Sequence, residues 1–165
     1  MEKSYARDIL RRIDLRGRVK EFSVWLGIFL LVLSVTGFEI GRVSGNSLSP
    51  KLESGNYFLY KNGKVRLGDY IVFSQDGMNM IKRVVGRQGD VVCIRRGNVF
   101  LNNRLIEDMK LKNLDGGVFE VKHGYFAVGY SKESIDSREF GEVGESLGRC
   151  VFIFKQVGER FGKEV

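Results

Sequence analysis

The sequence predicts a mainly β domain that follows one N-terminal transmembrane helix. Two observations indicate this fold class. The first is an uncharged run over residues 22–38, and the second is a series of short apolar segments separated by glycines over residues 41–165. The chain has 165 residues with 21 Gly and 1 Pro. Many glycines with almost no proline favour tight turns between strands over proline-rich linkers.

The uncharged run favours a membrane anchor. Residues 22–38 read FSVWLGIFLLVLSVTGF, and Glu39 ends the run. At about 1.5 Å per residue, a helix of this length covers about 26 Å, slightly less than a hydrocarbon core of roughly 30 Å. Aromatic residues, which prefer the membrane interface, stand near both ends. We therefore expect residues 22–40 to form a transmembrane anchor.

Two other interpretations of this run stay open. Small residues from Ser34 to Gly37 could mark the cleavage site of a secretory signal peptide. A core helix of a soluble domain would also be apolar. However, the run is longer than the usual apolar region of a signal peptide, and a small soluble domain does not need a helix that is apolar on all sides.

The segment before the run, residues 1–21, is rich in positive charge. It contains seven Lys and Arg residues against four Asp and Glu residues. Ile9, Leu10 and Ile13 recur at helical spacing, which is consistent with a basic amphipathic helix at a membrane surface. A solvated terminus is the alternative. Because basic residues flank the cytoplasmic side of membrane spans, the charge predicts a cytoplasmic N-terminus and an extracytoplasmic domain after Glu39.

The rest of the chain predicts β-strands. Each predicted strand is four to seven residues long, rich in Val, Ile, Phe and Tyr, and bounded by turn residues. A hairpin is expected around Asn102 and Asn103, with residues 104–106 starting its second strand. The other predicted strands are Asn56–Tyr60, Asp69–Ser74, Met80–Gly86, Asp90–Ile94, Asn98–Leu101, Val118–Val121, Tyr125–Val128 and Cys150–Phe154.

Composition excludes several kinds of site. One His and two Cys are too few for a self-contained Cys/His zinc site. A catalytic triad would have to use His123, which stands in a predicted turn. Cys93 and Cys150 lie in predicted strands, where they form one disulfide or remain free thiols. The net charge of +7 permits contact with nucleic acid, but we find no helix-turn-helix pattern.

Three segments carry residues with catalytic chemistry. Ser47 lies in a polar Gly/Ser loop and offers a nucleophile. Lys82 lies among apolar residues in a predicted strand, where burial would favour its neutral form, a competent base. Asp136 and Arg138 share one side of an extended segment, and could pair with each other or with Arg83. Each pattern alone also fits an ordinary turn or a solvated charge.

Together and in this order, the segments resemble the type I signal peptidases, the membrane-bound Ser-Lys proteases. The resemblance runs from about residue 42 to 154. Ser44–Asn56 resembles the catalytic-serine box Ser-Met-x-Pro-x-Leu-x-x-Gly-Asp, with Leu48 in place of Met. The other matching segments are Gly68–Phe73 for the Gly-Asp-[Val/Ile]-Val-Val-Phe strand, Ile81–Asp90 for the lysine box, Asn98–Asn103 for the hairpin, and Gly124–Gly129 and Ser134–Gly141 for the last boxes.

The resemblance implies a signal-peptidase-like β-sheet domain with a Ser-Lys dyad. It implies Ser47 as the nucleophile, Lys82 as the general base, and Ser134 as the residue that orients the lysine. Asp136 and Arg138, together with Arg83, would hold the loop that carries Ser134.

Gly45 stands where some bacterial members carry a serine whose hydroxyl helps to stabilise the oxyanion. The expected partners are membrane lipid and exported preproteins with small residues before the cleavage point. Nucleic acid is not expected as a partner, and the resemblance implies neither a metal nor an organic cofactor.

Other functional interpretations remain. The conjugative-transfer (TraF-type) peptidases share the lysine box, and such an enzyme would mature one dedicated pilin-like or conjugation substrate. A membrane-anchored β binding module without catalysis would also fit the composition. A self-cleaving repressor protease would need to bind DNA in the cytoplasm, and the apolar run at residues 22–38 argues against that class.

Overall fold

The computed structural model describes residues 2–111 and 116–154. The chain forms two compact units, Met1–Phe38 and Glu39–Val165. The first unit is helical and the second is built from antiparallel β-sheets. The predicted fold class, a mainly β domain after one apolar N-terminal helix, is confirmed. Residues 155–165 of the predicted β domain lie outside the described residues.

The first unit is a single long helix, α1, which runs from Glu2 to Thr36. Its segment Gly17–Thr36 is long and apolar enough to cross a membrane, and none of this segment is buried within the described part of the chain. A core helix of a soluble domain would instead be covered. The helix stops because Gly37 adopts a left-handed conformation with φ of 66°, a common helix C-terminus.

The strand β1, Phe38–Arg42, follows directly, so the helix ends four residues before the predicted end of the anchor at residue 40. The larger sheet has six strands in the order β1-β2-β10-β3-β4-β9 among the described residues, and the smaller has four in the order β7-β6-β5-β8. The remaining strands are β2 Tyr57–Lys61, β3 Tyr70–Gln75, β4 Met78–Arg87, β5 Val91–Arg95, β6 Asn98–Leu101, β7 Arg104–Lys110, β8 Gly117–Glu120, β9 Tyr125–Val128 and β10 Gly148–Phe154.

The predicted strands agree with the observed strands to within two residues at each end. The segments Asn98–Leu101 and Tyr125–Val128 have the predicted bounds. The hairpin between β6 and β7 also forms, with Asn102 and Asn103 at positive φ in the turn. The structure adds one short helix, α2, from Ser137 to Phe140, for which the sequence shows no helical periodicity.

The core forms two clusters that the large sheet holds apart. The larger cluster contains the fully buried side chains of Leu48, Leu52 and Val92. The smaller cluster contains Ile71 and Phe73 of β3, with apolar residues of β4 and β9. Because β4 contributes to both clusters, its position is fixed from two sides. A polar side chain carried on β4 is therefore presented from a rigid element.

Candidate active site

Ser47 is presented by a tight turn between β1 and β2. The N–H groups of Lys51 and Leu52 both donate to the Leu48 carbonyl at 3.0 Å, which forms one helical turn. Leu48 and Leu52, four residues apart, are completely buried and anchor that turn in the core. The spacing of the two leucines therefore fixes the turn in the core, while Ser47, directly before Leu48, stays partly exposed.

Lys82 of β4 reaches this serine. Its Nζ lies 2.9 Å from Oγ of Ser47 and 3.0 Å from Oγ of Ser134. The lysine is only 5% exposed and lies opposite Ile71 on the neighbouring strand. The structure thus brings together three residues that the sequence analysis singled out from three separate segments. Each Oγ is within hydrogen-bond distance of the same amine.

Burial lowers the pKa of the Lys82 amine below its ordinary value. Two nearby charges modify this effect in opposite directions: the Asp136 carboxylate raises the pKa, and the Arg138 guanidinium lowers it. Because desolvation is the largest cause, the net direction is downward. A buried lysine with a lowered pKa exists as the neutral amine over a wider pH range than an exposed lysine.

The loop that carries Ser134 packs against the turn of Ser47 without a gap. The N–H groups of Tyr130 and Ser131 donate to the Ser47 carbonyl at 2.7 and 3.2 Å. Gly129 lies at the contact: a Cβ there would stand 2.3 Å from Oγ of Ser134 and 2.6 Å from the Ser47 carbonyl oxygen. A residue larger than glycine at position 129 would therefore displace both serines.

Asp136 and Arg138 hold this loop in shape. The Asp136 carboxylate is fully buried and accepts from the Gly129 N–H at 2.8 Å. Nε and Nη2 of Arg138 donate to the two oxygens of this carboxylate at 2.7 and 2.6 Å, and Nη2 also donates to the Ser131 carbonyl at 3.1 Å. Of the two pairings left open by the sequence, the structure therefore contains Asp136 with Arg138.

Arg83 is placed elsewhere. It follows Lys82 in β4, so its side chain leaves the opposite face of the strand. Its guanidinium forms an ion pair with Asp108 of β7 and donates to the Tyr130 hydroxyl at 3.0 Å. Of the pairings that the sequence left open, the one with Arg83 is therefore not found among the described residues. Arg83 contacts the Ser134 loop through Tyr130, at the start of the loop.

Gly45 has a positive φ of 83°, a conformation that favours glycine. Nothing lies within 4 Å of the place where its Cβ would stand. The position therefore has room for a side chain, but its backbone conformation disfavours one. As a glycine it offers no hydroxyl, in contrast to the serine of some bacterial signal peptidases.

A groove of about 470 Å³ runs beside Ser47 and Lys82. We call it the first groove. One wall comes from β1 and the serine turn, and the other comes from the start of β4 and the Ser134 loop. Its apolar lining residues include Ile40, Phe58, Val72, Ile81 and Ile135. The lining also carries polar and charged side chains, among them Arg42, Asn79 and Glu133. A concave surface that combines apolar walls with polar groups is typical of a binding site.

Comparison with known proteins agrees with this geometry. Residues 16–154 match the sequence profile of the family described as "Signal peptidase, peptidase S26". The chain belongs to the type I signal peptidase family. The matched range includes the apolar segment of α1, the Ser47 turn, Lys82 and the Ser134 loop. The recognition made from the sequence is therefore confirmed at the level of the family.

Individual relatives include both named peptidases and inactive ones. The chain is 30% identical over 149 residues to "Signal peptidase I" of Bacillus caldolyticus, and the match covers 72% of this chain and 82% of the relative. It is 27% identical over 133 residues to "Signal peptidase I" of Bacillus licheniformis, with 67% and 72% covered. It is 25% identical over 140 residues to "Inactive signal peptidase IA" of Staphylococcus aureus, with 73% and 80% covered.

Sequence reasoning missed two residues near the site of this family member. Tyr130 and Asp108 complete the surroundings of Arg83, and Tyr130 also donates its N–H to the Ser47 carbonyl. Tyr130 follows directly after the matching segment Gly124–Gly129, and that position was the available signal. No signal in the sequence marks Asp108, because its pairing depends on how β7 of the small sheet lies near β4.

Proposed function

We propose that this protein is a membrane-anchored serine endopeptidase that removes signal peptides from exported proteins with a Ser47–Lys82 dyad. The observation that carries the proposal is the 2.9 Å distance between Nζ of Lys82 and Oγ of Ser47 at a buried position. A neutral amine at this distance can take the hydroxyl proton. The lowered pKa of Lys82 supports the same role.

The proposed reaction uses the chain's own groups throughout. Oγ of Ser47 attacks the scissile carbonyl while Nζ of Lys82 takes its proton. As the tetrahedral intermediate collapses, the C–N bond breaks and Lys82 gives that proton to the leaving amine. Lys82 then takes a proton from water, whose oxygen attacks the acyl carbon. As this second tetrahedral intermediate collapses, the C–Oγ bond breaks and Lys82 gives the proton to Oγ of Ser47. The enzyme returns to its starting state, so both protons are accounted for.

The remaining predicted residues would support this reaction. Ser134 would orient the Lys82 amine through its 3.0 Å hydrogen bond, and the Asp136–Arg138 pair would hold the Ser134 loop. The Ser47 N–H is our candidate oxyanion donor, since two loop N–H groups fix the Ser47 carbonyl. Because Gly45 has no hydroxyl, the proposed oxyanion hole relies on backbone donors at this turn.

The proposed substrates are preproteins with small residues just before the cleaved bond. Their chains would lie extended in the first groove. The anchor, proposed as residues 22–40, would keep residues 41–165 at the outer face of the cytoplasmic membrane, with the basic residues 1–21 in the cytoplasm. The helix segment Gly17–Thr36 supports the anchor, and the seven basic residues before the apolar run support the orientation.

Two alternatives remain. The 25% identity to an inactive relative keeps open a non-catalytic membrane module. A peptidase dedicated to one pilin-like or conjugation substrate would have the same dyad. In the first case no preprotein is cleaved, and in the second case general preproteins are not cleaved although the dyad is competent.

The test is cleavage of a model preprotein by the detergent-solubilised full chain. We expect Ser47→Ala and Lys82→Met each to lower kcat by about 10³-fold or more. The matched controls are Ser146→Ala and Lys64→Ala, which change residues of the same types that do not line the first groove. Circular dichroism establishes that all variants fold. Full activity in either dyad variant would overturn the proposed mechanism.

A further inference from the structure

A second groove lies beside the serine turn. It measures about 460 Å³ and is lined by Asn46, Ser49, Glu53, Ser54 and Ser131. All five of these side chains are polar, whereas the first groove combines apolar residues with polar and charged ones. Glu53 is the one residue that carries a charge among the described residues lining this groove.

The same two segments wall both grooves. From the serine turn, Ser44 and Ser47 line the first groove, whereas Asn46 and Ser49 line the second. The Ser134 loop is divided in the same way, since Ser131 lines the second groove and Glu133 to Ile135 line the first. The two grooves therefore flank the line of contact between the turn and the loop, where Ser47 lies.

A polypeptide substrate has two halves that leave Ser47 in different directions. The half before the cleaved bond becomes the acyl group, and the half after it departs with the new amino group. The first groove holds Ser47 and Lys82 beside an apolar wall, and this suits the small residues proposed to precede the bond. The half that follows the bond must pass on the other side of Ser47, where the polar groove lies.

We propose that the polar groove binds substrate residues that follow the cleaved bond, and that Glu53 favours basic side chains there. This inference rests on the proposed function. The Glu53 carboxylate would attract a lysine or arginine of the substrate and repel an acidic residue. The preferred substrates are then exported proteins whose mature chain begins with a basic residue near the cleavage site.

The backbone of Glu53 is held in place, which a selective contact requires. Its N–H donates to Oδ1 of Asn56 at 3.2 Å, and its carbonyl accepts from the Asn56 N–H at 3.1 Å. Asn56 is 5% exposed, and the preceding residue, Leu52, is completely buried. Glu53 therefore lines the groove from a fixed backbone, so less ordering is needed when a substrate binds.

The experiment compares peptides that differ only after the cleaved bond. Each carries small residues before the bond and Lys, Gln or Glu at one of the first four positions after it. The ratio of kcat/KM for the Lys and Glu peptides is measured with the full chain in detergent micelles. Using a ratio cancels any general loss of activity in a variant.

We expect the wild-type protein to favour Lys over Glu by roughly two- to fivefold at one or more positions, as for an exposed ion pair. Glu53→Gln should bring the ratio close to one, and Glu53→Lys should invert it. Added salt should weaken the preference. The matched control is Glu120→Lys, which makes the same charge change on an exposed residue of β8 in the small sheet.

The two ways of failing are distinguishable. A Lys/Glu ratio that is the same in the wild type and in Glu53→Lys, with normal cleavage, would overturn this inference and leave the proposed function standing. If neither the peptides nor preproteins are cleaved by the wild type, the proposed function fails and this inference fails with it.

Discussion

Lys82 has its amine where a positive charge is unfavourable. Burial lowers its pKa from the ordinary value of 10.5. Since the proposed base is the neutral amine, kcat/KM should rise about tenfold per pH unit below this pKa and level off above it. The measurement is the pH–rate profile with a neutral peptide substrate. A flat profile between about pH 6 and 9 would argue against Lys82 as the base.

Substitutions of Arg138 test whether the pH–rate profile follows the pKa of Lys82. Its guanidinium lowers the pKa of Lys82, while Asp136 raises it. Arg138→Gln removes the positive charge and leaves the carboxylate, so the rising limb should move to higher pH. Arg138→Lys keeps the charge and should leave the limb closer to its wild-type position. If both variants move the limb equally, the shift comes from the geometry of the loop and not from charge.

Gly129 sets how closely the two serines can approach. A Cβ at this position would lie 2.6 Å from the Ser47 carbonyl oxygen, a backbone atom that cannot rotate away. We expect Gly129→Ala to lower kcat/KM by about 10²-fold, the usual effect of displacing a catalytic group by about 1 Å. Gly144→Ala is the control, because nothing lies within 4 Å of its Cβ position. Equal activities in the two variants would contradict the prediction.

At the scale of elements, the Tyr130 hydroxyl joins parts of the fold that are distant in sequence. It lies 3.1 Å from the Tyr70 hydroxyl of β3 and accepts from Arg83 of β4, which pairs with Asp108 of β7. Tyr130→Phe leaves the ring but removes these hydrogen bonds from a site that is 5% exposed. The free energy of unfolding should fall by about 1–2 kcal/mol.

Denaturant unfolding followed by circular dichroism measures this change. The control is Tyr57→Phe, since the Tyr57 side chain is 46% exposed and its hydroxyl is not part of this network. Similar stabilities for the two variants would show that the network around Arg83 contributes little to the fold.

Strands were predictable from the sequence because each is a short apolar run between turn residues. Asn98–Leu101 is bounded by a glycine on one side and by two asparagines in positive-φ turn conformations on the other. The end of α1 was harder to place, because apolar residues continue past Thr36 into β1. The positive φ of Gly37 separates the two elements, and composition alone does not reveal it.

The candidate catalytic residues could be predicted from the sequence, because each stands in a segment that resembles a family motif. Contacts between side chains of distant strands could not be predicted. The resemblance of three segments pointed to Ser47, Lys82 and Ser134. The structure places Oγ of both serines within 3.0 Å of the Lys82 amine. The partner of Arg83 could not be predicted. Asp108 lies 25 residues further along the chain in the small sheet, and no local pattern fixes that contact.

At the scale of the whole molecule, the two units differ in where their apolar residues lie. The uncharged part of the helix segment Gly17–Thr36 leaves its apolar side chains uncovered by the described part of the chain, whereas the β domain buries its apolar residues in two clusters. In the proposed arrangement, the anchor keeps the protease at the membrane surface, where preproteins cross. The reaction would then be limited to chains that are leaving the cytoplasm.

This arrangement predicts the state of the chain in cells. An anchor is retained, whereas a secretory signal is removed, so the membrane-bound protein should keep its full mass of 18.8 kDa. Alkaline carbonate should fail to extract it. Leu30→Arg with Leu31→Arg places two charges in the apolar segment, at a cost of about 2.5–3.5 kcal/mol each, and should release the chain from the membrane.

Protease added outside spheroplasts should digest the β domain of the wild type, because the basic N-terminal segment stays inside. A shortened chain in the soluble fraction would instead identify residues 22–38 as a cleaved signal.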